Sequence, residues 1–453
     1  MKAKQVDFSS GSIRANIMRV AAPMFAAQLL NLLYNIVDRM YIGQIPEIGA
    51  TALGGIGLCF PIISIITAFS NLYGAGGAPL CSIERGRGNF TKAHSIMENA
   101  FAMLVLTGIV LTILGLVFHH PILYLFGASD ITYGYASDYI TIYMLGTIFV
   151  MITLGMNPFI NSQGFAKIGM YTVLLGALTN IILDPILIFG FRMGVRGAAI
   201  ATIVSQLLST IWVMHFLTGG QSELQLHIKK LSLDFQIIKQ IVALGSAGFM
   251  MSCTDSLVQI ACNSTLQQFG GDIYITVMTI LNSVRQIAST PVMSVTDGAS
   301  PVIGYNYGAK RYKNVIHSIW FVTIFCVLYT TAIWLVLLLF PQAFIRIFNQ
   351  DTALIAAAIP SMHIYFFGFF MMSFQFAGQT VFRSLDKARQ AVFFSILRKL
   401  IIVVPLTFLL PHVAGLGVNG VFLAEPISNL IGGTACFVTM YLTVLKPMKK
   451  QEI

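Results

Sequence analysis

Twelve long apolar stretches, separated by short connections that carry most of the charge, constrain this chain more than any other feature. They run near 18–42, 53–80, 97–118, 135–159, 169–190, 195–217, 237–267, 273–303, 317–340, 355–381, 390–410 and 417–444. Each reaches the ~20 residues that an α-helix needs to cross hydrocarbon. A soluble domain carries roughly 25% charged residues. Here 10% of the 453 residues are charged and 56% are hydrophobic. That excludes a soluble globular protein of this size and leaves no length for a large soluble domain.

The net charge of +10 does not point to nucleic acid, because the basic residues sit between the apolar runs. Lys and Arg concentrate on the cytoplasmic side of a membrane protein. One set of connections holds Lys2, Lys4, Arg14 and Arg19, then Arg85 to Lys92, Lys167, Lys229 to Lys239, Lys310 to Lys313, Arg383 to Arg389, and Lys446 to Lys450. The opposite set holds only Arg192, Arg196 and Arg346. The alternation is unbroken, which supports twelve crossings and puts both termini in the cytoplasm. The first seventeen residues are polar and lack a signal-peptide core, so the first apolar run is expected to be retained. Gln221–Gln240 is polar, then amphipathic, and reads as a cytoplasmic surface helix. The expected division is a first lobe at 1–217, a linker at 218–236 and a second lobe at 237–453.

The two halves repeat. GVRGAAIATIVS (Gly194–Ser205) matches GVNGVFLAEPIS (Gly417–Ser428) at an offset of 223, and Ser162 and Lys167 match Ser384 and Arg389 at 222. Pro61, Ser64, Ser70 and Gly74 match Pro291, Ser294, Ser300 and Gly304 at 230. Six helices per half is an even number, so both repeats share one orientation. The expected fold is an all-α integral membrane protein, with two pseudo-symmetric six-helix lobes around a central V-shaped cavity. A duplicated passive scaffold is the bland alternative.

Competing chemistry is absent from the sequence. There is no GxxxxGK[ST] phosphate loop and no HExxH motif. Cys59, Cys81, Cys253, Cys262, Cys326 and Cys436 lie in or beside apolar segments without metal-ligand spacing, and read as packing residues. His119–His120 reads as a solvated pair at an outer helix end. Pro23, Pro61, Pro291 and Pro426 interrupt predicted helices and permit bends, as hinges or as static kinks.

Five acids lie well inside predicted helices: Asp38, Asp184, Asp255, Asp297 and Glu425. A charge in hydrocarbon costs ~2.5–3.5 kcal/mol or more, so each needs a partner, a proton or a wet cavity. Asp38 lies ~30 Å along an outward-running helix and Asp184 is similarly far along another. Asn180 lies one turn before Asp184 on the same face. Asn157 lies deeper, and Thr202 again in the outer half. Two carboxylates with amide and hydroxyl oxygens suit a small hard cation such as Na⁺, or a proton. The bland reading pairs Asp38 with Arg39 and lets Asp184 with Pro185 merely shape the helix. Phe (34) and Met (21) are abundant enough to line a cavity with soft side chains, although most serve packing or face lipid.

The chain resembles the multidrug and toxic compound extrusion (MATE) transporters along nearly its whole length. AAPMF (Ala21–Phe25), LDPILIFG (Leu183–Gly190), GVRGAAIAT and PVIGYNYGAKRY (Pro301–Tyr312) carry the resemblance by their order and spacing. It is similar to the bacterial DinF-like branch, which has an Asp in helix 1 and an Asn/Asp pair in helix 5. The resemblance implies export of hydrophobic, often cationic, compounds across the plasma membrane, driven by inward H⁺ or Na⁺. It implies no enzyme activity and no cofactor beyond that ion. It also implies that Asp38, Asn180 and Asp184 form the coupling site, with Asn157 and Thr202 beside them. The expected partners are small organic substrates and membrane lipids, without nucleic acid, and the expected state is a monomer.

In the second half a sodium-coupled branch carries an acid near Asp255 and another in helix 10. The corresponding stretch here, Phe369–Gln379, has no acid. Glu425 takes the place of Thr202 in the repeat. Asp255 and Glu425 either contact substrate or ion, or form a structural pair with Arg285; the sequence leaves both open. Asp297 reads as a gate or loop anchor. Two other classes remain. A flippase for lipid-linked precursors would show a cationic cavity, whereas embedded Arg is sparse here, with Arg285 and Arg398 as the candidates. A membrane-embedded enzyme would need clustered catalytic groups, and no such motif appears.

Overall fold

A computed structural model describes all residues except 1–4, 47, 127, 129, 228–232, 349–351, 414 and 452–453. Lys2, Lys4, Lys229 and Lys230, and the side chain of Arg39, therefore lie outside the described residues. No strand occurs among those described. The helices are α1 (Ile13–Gly43), α2 (Gly49–Gly57), α3 (Phe60–Gly86), α4 (Phe90–Leu125), α5 (Asp130–Leu145), α6 (Thr147–Ser162), α7 (Ala166–Pro185), α8 (Gly194–Thr218) and α9 (Phe235–Gly270). Then come α10 (Asp272–Gly308), α11 (Tyr312–Leu339), α12 (Pro341–Phe348), α13 (Thr352–Tyr365), α14 (Met371–Ser384), α15 (Ala388–Ile396), α16 (Val404–Leu409), α17 (Val418–Met440) and α18 (Lys446–Gln451).

Among the described residues nine helical runs are long and apolar enough to cross a membrane, and α5–α6 form a tenth crossing bent by 58°. The remaining two expected crossings are α10, which carries Arg285 and Asp297, and the broken pair α13–α14. This is a multi-pass membrane protein.

The described chain divides into two compact units. One is Met1–Phe8 with Ala22–Gly245, and the other is Ser9–Ala21 with Ser246–Ile453. In the first unit, glycine lets helices approach closely, the usual device where lipid gives no hydrophobic drive between helices. A Cβ on Gly74 would sit 2.6 Å from the Gly155 carbonyl oxygen, and one on Gly76 2.3 Å from that of Ile241. In the second unit Leu266, Leu281, Ala358, Phe366, Phe369 and Phe422 anchor a buried core.

The sequence repeat is also a repeat of backbone conformation. Gly88 and Lys310 (offset 222) both have positive φ, 77° and 57°. So do Gly164 and Asp386 (222), Arg192 and Gly415 (223), and Gly194 and Gly417 (223). Gly197 and Gly420 both press on the backbone of the preceding segment, at Leu187 and at Leu410–Pro411.

Two expectations change. Pro61 does not interrupt a helix: α2 ends at Gly57 and Pro61 is the second residue of α3, where a missing N–H is harmless. The linker is not a helix over its described residues 221–227 and 233–234; α9 begins at Phe235. Ser222, Leu224 and Leu226 are buried while Glu223 and His227 are exposed, which is the period-2 pattern of extended chain. Partners from α3, α4 and the α6–α7 turn hold it so. Gln163 Oε1 accepts from Ser222 Oγ and Leu224 N at 2.8 Å, Arg85 pairs with Glu223, and Gln225 N donates to His94 Nε2 at 3.2 Å.

Candidate functional site

Asp184 is the last residue before Pro185, which closes α7 and opens a π-helical turn at Ile186–Gly190. Pro185 has no N–H to continue the ladder, and single π turns recur at functional sites. The turn leaves Asp184 fully buried. Asn180 Nδ2 donates to Asp184 Oδ1 at 3.3 Å. Half-buried Asp38, from α1, lies within hydrogen-bonding reach of Asp184. Asn180 Oδ1 and Asp184 Oδ2 are buried acceptors with no donor among the described residues. Two bare carboxylates at ~4 Å repel by about 4 kcal/mol at an effective dielectric of ~20. A hydrogen bond between them requires a shared proton, and a small cation between them removes the repulsion.

Thr202 comes to the edge of this cluster through Tyr139. Tyr139 lies beside Thr202 and within electrostatic range of Asp38. Tyr34, also near Asp38, lies near Tyr143, and Tyr139 and Tyr143 stack with ring centroids 6.0 Å apart. These tyrosines were missed in the sequence reading; the only signal was the four-residue spacing of Tyr139 and Tyr143 on one face of α5. Asn157 is not brought to the carboxyls. Its Nδ2 donates to the Gly169 carbonyl at 3.2 Å, at the other end of α7, about 16 Å along the helix from Asn180.

The second unit holds a second charged centre. Glu425, on α17, accepts on Oε1 from Arg285 Nη1 at 3.2 Å, Arg398 Nη1 at 3.1 Å and Lys399 Nζ at 3.4 Å. Lys399 Nζ also lies 3.2 Å from Asp255 Oδ1, and Arg398 Nη1 donates to Asn429 Oδ1 at 2.5 Å. The ion pair foreseen between Arg285 and Glu425 is present, but it is one spoke of a hub. Arg398 and Lys399 ride on a π-helical stretch, Leu397–Val403, that turns both inward. Both embedded Arg expected from the sequence, Arg285 and Arg398, are in this hub, and Lys399, which was not expected, joins them, so three cations meet two acids. LRK inside an apolar run was the available signal. Asp297 sits 3.8 Å from Arg383 and ties α10 to α14.

The MatE family model matches residues 23–186 and again 248–409, one copy per half. The chain is 26% identical to the multidrug export protein MepA of Staphylococcus haemolyticus over 442 residues, covering 96% of this chain and 94% of that one. It is 24% identical to MepA of Staphylococcus saprophyticus over 438 residues, at 96% and 95% coverage. Among solved structures, a MATE protein in the bent conformation superposes with a TM-score of 0.93 at 20% identity, covering 100% of this chain and 99% of that one. The outward-facing conformation of a multidrug resistance MATE family transporter of the MOP superfamily gives 0.91 at 20%, with 99% and 100% covered. The chain belongs to the MatE family, the MATE transporters.

Proposed function

We propose that this protein is a multidrug efflux transporter of the plasma membrane. Both termini face the cytoplasm, and it exports hydrophobic, cationic organic compounds in exchange for inward H⁺ or Na⁺. The relatives named as multidrug export proteins, similar over 96% of the chain, support export. The observation that carries the coupling reading is the contact of Asp38 with buried Asp184, braced by Asn180. Asp38 and Asp184 hold one cation between them, and its binding shifts the balance between transporter conformations by the difference in its affinity for them. Asn180 and Thr202 complete the oxygen set for a bound ion. No reacting group of an enzyme is invoked, since moving cargo and ion needs only reversible binding.

The test uses purified protein in vesicles with an imposed pH or Na⁺ gradient and a fluorescent organic cation. Uphill movement of the dye under one gradient, absent without it, is expected. Dye movement indifferent to both gradients contradicts the reading. A flippase of lipid-linked precursors is the second reading, favoured by the three cations around Glu425. Gradient-driven export of a water-soluble cation decides against it.

A further inference from the structure

We propose that the charged pocket of the second unit is an anion site, which binds the carboxylate of an amphiphilic organic compound. It is lined by Arg285, Lys399, Asp255, Glu425, Asn282 and Tyr365, among others. The cluster it opens on contains three cationic groups, Arg285, Arg398 and Lys399, and two acids, Asp255 and Glu425. Its formal balance is one positive charge. A further cation raises the charge of a centre already desolvated on most sides, whereas one carboxylate neutralises it.

The hydrogen bonds point the same way. Among the described residues Arg285 makes one protein hydrogen bond, to Glu425, so most of its five donors remain for a ligand. Its side chain is 26% exposed, against 4% for Arg398 and 3% for Lys399, so it is the cation a ligand meets first. A guanidinium fork matches a carboxylate with two parallel bonds. Asn282 and Tyr365 are tied together beside it, with Tyr365 Oη donating to Asn282 Oδ1 at 3.0 Å, and Asn282 Nδ2 donates to Gln259 Oε1 at 3.1 Å. The cavity volume, about 30 Å³, is room for a headgroup rather than a whole organic molecule. Two acids oppose an anion: Glu425, which already holds the three cations, and Asp255, 42% exposed. The claim that the bound compound is cargo rests on the export reading, widened from cationic compounds to ones that carry a carboxylate; the claim of binding does not.

The experiment is calorimetric titration of the full chain in lipid nanodiscs with naphthalene-2-carboxylate and with naphthalene-2-carboxamide, against empty nanodiscs. The acid is expected to bind at least about tenfold tighter than the amide, the discrimination expected of a charge-assisted pair. Arg285→Gln is expected to collapse that ratio. Asp255→Asn, at a half-exposed position, is expected to raise affinity for the acid and leave the amide unchanged. Equal binding of acid and amide overturns the proposal, as does a ratio that survives Arg285→Gln. If Arg285→Gln does not fold, Asp255→Asn decides alone: unchanged or weakened acid binding overturns the proposal. Gradient-driven export of a cation by the unmodified protein is read separately. Its absence counts against the export reading whatever the acid–amide ratio, and an acid–amide ratio of one counts against the anion site alone.

Discussion

Glu425 gathers three cations on one carboxylate oxygen while 6% exposed, so its charge holds the second unit's centre together. Removing one partner of a buried ion pair costs about 3–5 kcal/mol, because the other charge stays buried. Glu425→Gln leaves Arg285, Arg398 and Lys399 facing Asp255 alone. A loss of that size is expected in thermal melts of the purified protein. Asp255→Asn breaks only a half-exposed pair, and a change within about 1 kcal/mol is expected. Equal melting losses for the two variants would contradict the assignment of Glu425 as the hub. In the first unit the same chemistry is inverted. Asp38 and Asp184 are two acids in contact, with Asn180 as the donor seen between residues of α7.

At the scale of elements, the duplication preserves turns more strictly than side chains. Gly194 and Gly417 share the left-handed region that only glycine adopts freely, and three further pairs of loop positions match in φ. Gly197 and Gly420 let α8 and α17 lie against the segments before them. A Cβ on Gly420 would come within 2.6 Å of backbone at Leu410 and Pro411, which cannot swing aside. Gly420→Val is therefore expected to lower folded yield and melting temperature sharply. Lys310→Gly, relieving a positive φ of 57°, is expected to be neutral or stabilising by about 1 kcal/mol in the same melts.

The helices were legible because apolar length is a local property, and the acids because charge in an apolar run stands out. The first part of the linker, 221–227, was misread because Leu224 and Leu226 alternate with polar residues over too few positions to tell period 2 from a helical face. The π turns at Ile186–Gly190 and Leu397–Val403 had no sequence signature beyond nearby prolines, yet the first begins just past Asp184 and Pro185 and the second carries Lys399. That is why the hub was seen as a pair. The tyrosines around Asp38 come from α1 and α5, and no spacing along one helix could join them.

For the whole molecule, two copies of one scaffold carry unlike charges. Asp184 has Leu406 at its repeat position, and Thr202 has Glu425. On the two proposals, ion coupling belongs to the first unit and ligand charge recognition to the second. The orientation is open to a direct check. A cysteine replacing Lys450, at the end of α18, is expected to react with an impermeant maleimide in inverted vesicles and not in intact cells. The reverse labelling would turn the proposed topology over.

The most direct test of the coupling site separates uphill transport from exchange. Asp38→Asn and Asp184→Asn are placed in vesicles and measured twice, once for gradient-driven accumulation of a fluorescent cation and once for exchange of labelled against unlabelled cation without a gradient. Loss of accumulation in both variants, with exchange retained, is the predicted result. Full gradient-driven accumulation by both would contradict the account.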